Sequence, residues 1–389
     1  MSQEITYFAE TDARGKHVRF GIRQPDRRYH LAVIGRTGMG KSTLLETLII
    51  SDIQTGAGFA LLDPHGDLAE RIITLIPPRR QKDLIYFNPA DSKNDLGFNV
   101  LEAAGTKKNL VVSGVISLFK KIWSDSWGPR MEHLFRYALT TLVEVEGTTL
   151  ADVSRILMDS EYRSSIVAHV TDETVLEFWQ NEYARYGGSF KTEAISPILN
   201  KLGAFIVNPD IRKVVTKEKS DFDLSQIMQS GGILVANLSK GKLGEDGSAL
   251  LGALLSTKFE LAALNRATIP IETRRDFYLY VDEFPTLANA SFTGMLSESR
   301  KYGLGLVLAM QFVEQLDDDV RNALFENIGT LISFRCGPDT ARYLAPQFEP
   351  LLSREDLMNL GRYSIYVKLM IDGIPSRPFS ARTITPSRA

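Results

Sequence analysis

Short apolar runs and longer amphipathic ones alternate along most of the chain. Val18, Phe20 and Ile22 alternate with polar neighbours, as in a half-buried strand. Thr11-Asp12-Ala13-Arg14-Gly15 carries turn chemistry, so the first 30 residues predict a hairpin. Then come short, wholly apolar runs at 31–34, 58–62 and 84–87, with helical patterns from Lys41 to about Gly56 and from Asp67 to Ile76 between them. Buried strands joined by helices predict a parallel α/β sheet, because crossover helices cover both faces. From about 106 to 215 the pattern is helical. Met131, Leu134, Phe135, Ala138, Leu139, Leu142 and Val143 fall on one helix face. Strand signals resume at 233–236, 277–281, 304–308 and 330–334, with a long helix from Gly247 to Arg266. Tyr363 to Ile384 predicts two strands around the turn Asp372-Gly373. The fold expectation is an α/β core with a mainly parallel sheet. It spans 1–105 and 216–389, is opened by the hairpin of 1–30, and is interrupted by an all-alpha insertion at 106–215.

Composition narrows the class. Of 389 residues, 44% are hydrophobic and 24% charged, which excludes disordered, collagen-like and coiled-coil chains. A net charge of −2 argues against a uniformly basic nucleic-acid coat but not against a local basic channel. The single cysteine, Cys336, rules out an intramolecular disulfide and suits a reducing compartment. No run nears 18 apolar residues and the N-terminus lacks an apolar core, so the expectation is a soluble, cytoplasmic chain without membrane span or signal peptide. Five scattered histidines suggest no zinc site.

The candidate chemistry begins after the first parallel strand. Gly35-Arg36-Thr37-Gly38-Met39-Gly40-Lys41-Ser42 fits the P-loop pattern, and Thr43 follows on the helix. Three glycines let backbone N–H groups face phosphate oxygens, and the helix N-terminus adds positive potential. Lys41 can reach the β- and γ-phosphates of ATP, and the Ser42 hydroxyl can ligate Mg²⁺. Phe277 to Val281 is a buried strand ending in Asp282-Glu283. Asp282 would hold Mg²⁺ through its water shell, and Glu283 would act as general base on the attacking water. A carboxylate pair alone is an ordinary strand end; the upstream P-loop gives it meaning. The adjacent Glu points to an ATPase rather than a kinase. Asn200-Lys201-Leu202-Gly203 lacks the Asp of a guanine-reading motif. Gln311, after the 304–310 strand, would lie beside the γ-phosphate, since the C-terminal strand edges gather at the nucleotide. Asp63 in Asp63-Pro64-His65-Gly66-Asp67 shares that edge. It either supports the water or metal, or caps the turn before the helix.

The segments GRTGMGKST, LLDPHGDL, YLYVDEFP and ESRKYGLGLVLAMQ together resemble the FtsK–HerA superfamily of motor ATPases, and within it the TraD/TraG-type conjugative coupling ATPases of type IV secretion. The resemblance covers nearly the whole chain, the helical insertion included. It implies a RecA-like P-loop core, ATP hydrolysis between the subunits of a hexameric ring, DNA movement through a central pore, and an arginine acting in trans. Arg300, eleven residues before Gln311, matches that position; Arg335 and Arg362 are lesser candidates. Family members usually carry N-terminal membrane helices or a β-barrel before the P-loop. Only some 30 residues precede it here, so a soluble relative acting with a separate partner (a secretion channel, relaxase or nuclease) is implied.

Basic clusters are few. Arg79-Arg80, Lys107-Lys108, Lys120-Lys121, Lys213 with Lys217 and Lys219, and Arg274-Arg275 read as solvated surface. Ser239-Lys240-Gly241-Lys242-Leu243-Gly244 reads as a flexible loop whose Lys240 and Lys242 could contact DNA phosphates in a pore. Trp123 and Trp127 read as helix packing rather than base stacking. Three functions remain open at this point: a DNA translocase, a secretion or pilus-assembly ATPase that moves protein, and a HerA-like ATPase that partners a nuclease.

Overall fold

The computed structural model describes residues 5–12, 17–103, 105 and 107–385. The expected turn residues Ala13-Arg14-Gly15 lie outside them. The chain divides into two compact units, one of residues 1–87, 225–239 and 266–389, the other of 88–224 and 240–265.

The first unit holds one large sheet. Its strands are β1 (Ile5–Thr11), β2 (Arg19–Arg23), β3 (Leu31–Ile34), β4 (Gly58–Asp63), β5 (Leu84–Phe87), β6 (Ile233–Asn237), β7 (Phe277–Val281), β8 (Leu304–Met310), β9 (Thr330–Ser333), β10 (Ser364–Lys368) and β13 (Phe379–Thr383). They run in the order β2-β1-β13-β10-β9-β3-β8-β7-β4-β6-β5. From β9 to β5 every pairing is parallel. β10, β13, β1 and β2 extend the sheet antiparallel. The apolar runs explain the parallel part: β3, β4, β6, β7, β8 and β9 are buried along their whole length, as strands covered on both faces must be. The C-terminal segment departs from the two-strand expectation. The turn Asp372-Gly373 closes a separate small hairpin of β11 (Met370–Ile371) and β12 (Ile374–Pro375), between the longer β10 and β13.

The second unit is helical. Lys108–Ile122 and Pro129–Glu144 pack through Phe119 and Phe135, whose rings stand 5.1 Å apart. Trp123 fits between Phe119 and Phe205, at 4.9 and 5.2 Å. The helix Glu245–Asn265 also belongs here, as do residues 88–105, so the unit boundaries differ from those drawn on the sequence. Gly114 lets that helix come close: a Cβ there would stand 2.7 Å from Thr257 Cγ2. Among the described residues, Glu245–Thr268 is the one helical stretch long and apolar enough to cross a membrane. However, 78% of its apolar window is buried within the protein, as in a core helix.

Candidate active site

β3 delivers the chain into the loop of residues 35–40, and the helix Lys41–Thr55 carries it away. The loop geometry demands its glycines. Gly40 has φ +123°, and a Cβ there would stand 2.7 Å from Tyr363 Cδ1. Gly35 presses on Phe334, whose Cβ would be 2.5 Å from an added Cβ. Neighbouring strands fasten the loop. Arg36 N–H donates to Arg335 O at 2.9 Å, and Tyr363 N–H donates to Met39 O at 3.0 Å. Thr37 Oγ1 donates to Gln311 Oε1 at 2.8 Å, which brings the end of β8 to the cradle. Lys41 is buried and its Nζ donates to Gly35 O at 2.6 Å. Burial lowers its pKa, and the nearby Glu283 and Asp282 carboxylates partly restore it. Ser42 and Thr43 sit half-buried on the first helical turn, behind Lys41.

Two strand ends supply the acids. The register Leu62↔Val281 sets Asp63 beside Asp282, and Asp282 N–H donates to Leu62 O at 3.1 Å. Asp282 is buried, and burial together with the Asp63 charge pushes its pKa up to about 6 against the pull of Lys41. Glu283 takes a left-handed conformation, φ 51° and ψ 57°, rare for a residue with a side chain and a frequent sign of a functional position. It turns the chain sharply after β7, and Glu283 lines a cleft of about 190 Å³ with Thr37, Gly38, Gly40, Lys41, Ser42, Thr43, Asp282, Arg362 and Tyr363.

Asp63 has a different local part. One carboxylate oxygen accepts His65 N–H at 2.8 Å and the other accepts Ala69 N–H at 2.9 Å. Both oxygens therefore serve the capped turn. Gly66 completes that turn at φ +91°, where a Cβ would meet Asn237 Oδ1 at 2.6 Å. The Asp63 charge still acts on Asp282.

The donor set fits a cation bound together with a polyphosphate. Asp282, Glu283 and Asp63 stand around one lysine, and burial first, then the Asp63 and Glu283 charges, make Asp282 resist ionisation. Among the described residues no trio of acidic, His or Cys side chains forms a metal cage. Mg²⁺ in P-loop sites needs none, since it keeps waters and takes phosphate oxygens beside one hydroxyl and one carboxylate.

Arg300 lies elsewhere. It follows the helix Ala290–Glu298 and precedes β8, at the end of the sheet opposite Gln311. Its guanidinium lies 3.4 Å over the Tyr29 ring, and Nη2 donates to Tyr29 Oη at 2.6 Å. Crossing the seven residues of β8 takes roughly 23 Å, so Arg300 does not meet the cleft of its own subunit.

Sequence reasoning missed Tyr363 and considered Arg362 only as a trans arginine. Both line the cleft, with the Arg362 guanidinium 4.8 Å from the Tyr363 ring. Nothing local marks them, because they reach the P-loop from more than 300 residues away. Two surface expectations need correction. Ser239 to Gly244 is no flexible loop: Lys240–Leu243 forms a helical turn, closed by Gly244 N–H donating to Lys240 O at 3.0 Å. Lys240 is half-buried there and Lys242 exposed. Arg80 is buried and donates to Gly231 O at 2.8 Å and to Asp83 at 2.9 Å. A larger cavity, about 700 Å³, lies in the second unit near Glu102, Glu144 and Glu218. It has no phosphate-binding loop, so chemistry rather than size identifies the site.

A glycine cradle facing a buried carboxylate, with an intervening strand that brings Gln311 to the loop, defines a P-loop nucleotide-binding protein of the RecA-like type. More narrowly, the chain belongs to the family described as the type IV secretion-system coupling protein DNA-binding domain, which matches residues 20–348. The type 4 coupling protein DotL of Legionella pneumophila is 23% identical over 352 residues, covering 78% of this chain and 44% of DotL. The chain thus spans less than half the length of that relative. Among solved structures, the plasmid coupling protein TrwB in complex with ADP and Mg²⁺ has TM-score 0.68 and 18% identity, covering all of this chain and 97% of TrwB. VirB4 of Thermoanaerobacter pseudethanolicus has TM-score 0.63 and 13% identity, covering all of this chain and 98% of VirB4. At these identities the structural likeness establishes the fold.

Proposed function

We propose that the chain is the ATP-hydrolysing motor of a coupling protein, moving DNA as a homohexameric ring on the cytoplasmic side of a secretion system. The observation that carries this reading is the meeting of Lys41, Asp282, Glu283 and Gln311 around one glycine cradle. TrwB, which shares the fold, binds ADP with Mg²⁺ and a non-hydrolysable ATP analogue. The backbone N–H groups of residues 35–43 and the Lys41 ammonium bind the phosphates of ATP. Ser42 and Asp282 would hold Mg²⁺, which would supply neutralisation of the phosphate charge. Glu283 accepts a proton from the attacking water. Gln311, tied to Thr37, orients that water and registers loss of the γ-phosphate. Asp63 holds the turn beside Asp282 and acts through its position and charge. Arg300 of one subunit reaches the phosphates bound by its neighbour, since its own lie at the other end of β8. Lys240 and Lys242 contact the DNA backbone, so binding is sequence-tolerant and weakens with salt. A separate secretion-channel, relaxase or nuclease partner sets the pathway.

The deciding experiment measures ATP hydrolysis with and without duplex or single-stranded DNA, alongside the mass of the assembly. DNA raises the rate of a hexamer under this reading. If DNA leaves the rate unchanged and a protein substrate raises it, the motor moves protein. If neither does and a nuclease binds the assembly, the reading as a HerA-like ATPase that partners a nuclease replaces it.

A further inference from the structure

Resting on the ring reading with Arg300 acting in trans, we propose that the small hairpin of residues 370–375 is a docking element for a second copy of this chain. It seats beside Phe312 and the acidic run Asp317-Asp318-Asp319. The hairpin is unusually well braced for its size. The Asp26 carboxylate, buried, accepts Asp372 N–H at 3.0 Å and Gly373 N–H at 2.9 Å. Arg23 pairs with Asp372, and Met370 N–H donates to Thr330 Oγ1 at 3.1 Å. The turn has φ 51° at Asp372 and 76° at Gly373, as two-residue hairpins require. Yet this rigid element presents Ile371 and Ile374 to solvent, 46% and 70% exposed.

The hairpin also touches the arginine. A Cβ at position 373 would stand 3.1 Å from Tyr29 Oη, the atom that receives Arg300 Nη2. Tyr29 therefore joins the hairpin and Arg300 into one surface; exposed Arg377 follows the hairpin in sequence, while Lys301 is paired with Glu298 at 2.7 Å. The opposite end of the sheet offers the complement. Directly after Gln311 come exposed Phe312, 37% accessible, and the exposed acids 317–319. A head-to-tail contact needs two unlike patches; both are apolar in part, with Arg300 and Arg377 on one and Asp317 and Asp319 on the other, beside the Asp318–Arg321 pair. The same contact that seats Ile371 and Ile374 beside Phe312 brings Arg300 toward the neighbour's Gln311 edge. Tyr29 is then a positioning residue that fixes the guanidinium between hairpin and phosphate.

The test uses two readouts. First, Ile374→Cys with Phe312→Cys is treated with a short bis-maleimide in MgATP; the native Cys336 is buried and stays silent. A ladder of linked subunits is expected, absent from either single variant. Second, Ile371→Asp with Ile374→Asp should leave monomers that bind MgATP as tightly as wild type, while hydrolysis falls about 10³-fold through loss of the trans arginine. If wild type forms rings, the double Asp variant forms them equally and no ladder appears, the docking proposal is overturned and the ring reading stands. If the ladder appears but Arg300→Ala rings are as active as wild type, the contact stands and the trans arginine falls. A wild type that stays monomeric with MgATP and DNA overturns both.

Discussion

The two ends of the parallel sheet are built on opposite principles. At the C-terminal end, charge is concentrated and conformation is forced: Gly40 at φ +123°, Glu283 in the left-handed region, and Asp282 with its pKa pushed up to about 6. At the other end, charge is dispersed and satisfied. Arg300 rests on Tyr29, Asp26 caps the hairpin turn, and Arg28 pairs with Asp276 at 2.7 Å. A site that must receive a highly charged ligand keeps unmet electrostatic demand. Under the proposed ring, the other end delivers one arginine to a neighbour, and the Tyr29 contact holds that arginine in a defined place.

The largest expected effect lies at the demanding end. Lys41→Ala removes the one buried cation among Asp63, Asp282 and Glu283. Nucleotide binding should weaken by about 10- to 100-fold, the value of a charge-assisted contact, and turnover should fall below detection. Calorimetric titration with MgATP reads the first and phosphate release the second. Tight binding with normal turnover would remove the cradle as the active site. Next comes the delivering end: Arg300→Ala should cost about 10³- to 10⁵-fold in hydrolysis while binding stays intact. Mixing it with Lys41→Ala subunits should restore activity, because each supplies what the other lacks across the contact. Mixtures as dead as their components would return Arg300 to the role of a surface residue stacked on Tyr29. Glu283→Gln should be smaller, about 10²- to 10⁴-fold in turnover with MgATP still bound, since an amide cannot take the proton. A near-wild-type rate would leave the left-handed turn at 283 as a purely structural feature.

How much of this contrast the sequence disclosed follows from the range of the forces involved. The cradle was legible because its geometry is local: glycines at fixed offsets, then lysine, on a strand-to-helix turn. The parallel strands were legible because burial on both faces leaves uninterrupted apolar runs such as Leu304–Met310. Arg300 could be named by resemblance, but its seat on Tyr29 could not, since 271 positions separate the two. Tyr363 at the P-loop was hidden for the same reason. The long helix Glu245–Asn265 misled the division into units because it is buried nearly all round and shows no amphipathic face to say which neighbours it serves. Asp63 was left between two readings, and the bonds to His65 and Ala69 supply the structural one without removing its charge from the site.

The smallest predicted effect links the two ends through His30, which opens β3 toward the P-loop. It is buried, with φ 65°. Nδ1 accepts the Leu306 N–H at 3.1 Å, so the ring proton is on Nε2 and is donated to Leu296 O at 3.2 Å. The neutral imidazole thus ties β8 to the helix that precedes Arg300. Burial, helped by the Arg300 charge, lowers its pKa from 6.5 to about 4. Between those values the unfolded chain binds more protons than the folded one, so this stabilisation is complete above pH 6.5 and is lost as pH falls toward 4. Its full extent is about 3 kcal/mol, of which about 2 kcal/mol disappears between pH 7 and pH 5. Asn tolerates the positive φ without titrating, so His30→Asn should lower the urea midpoint at pH 7 and reduce its shift on going to pH 5. An undiminished shift in the variant would assign the acid sensitivity to other groups and leave His30 as a spacer between β3 and β8.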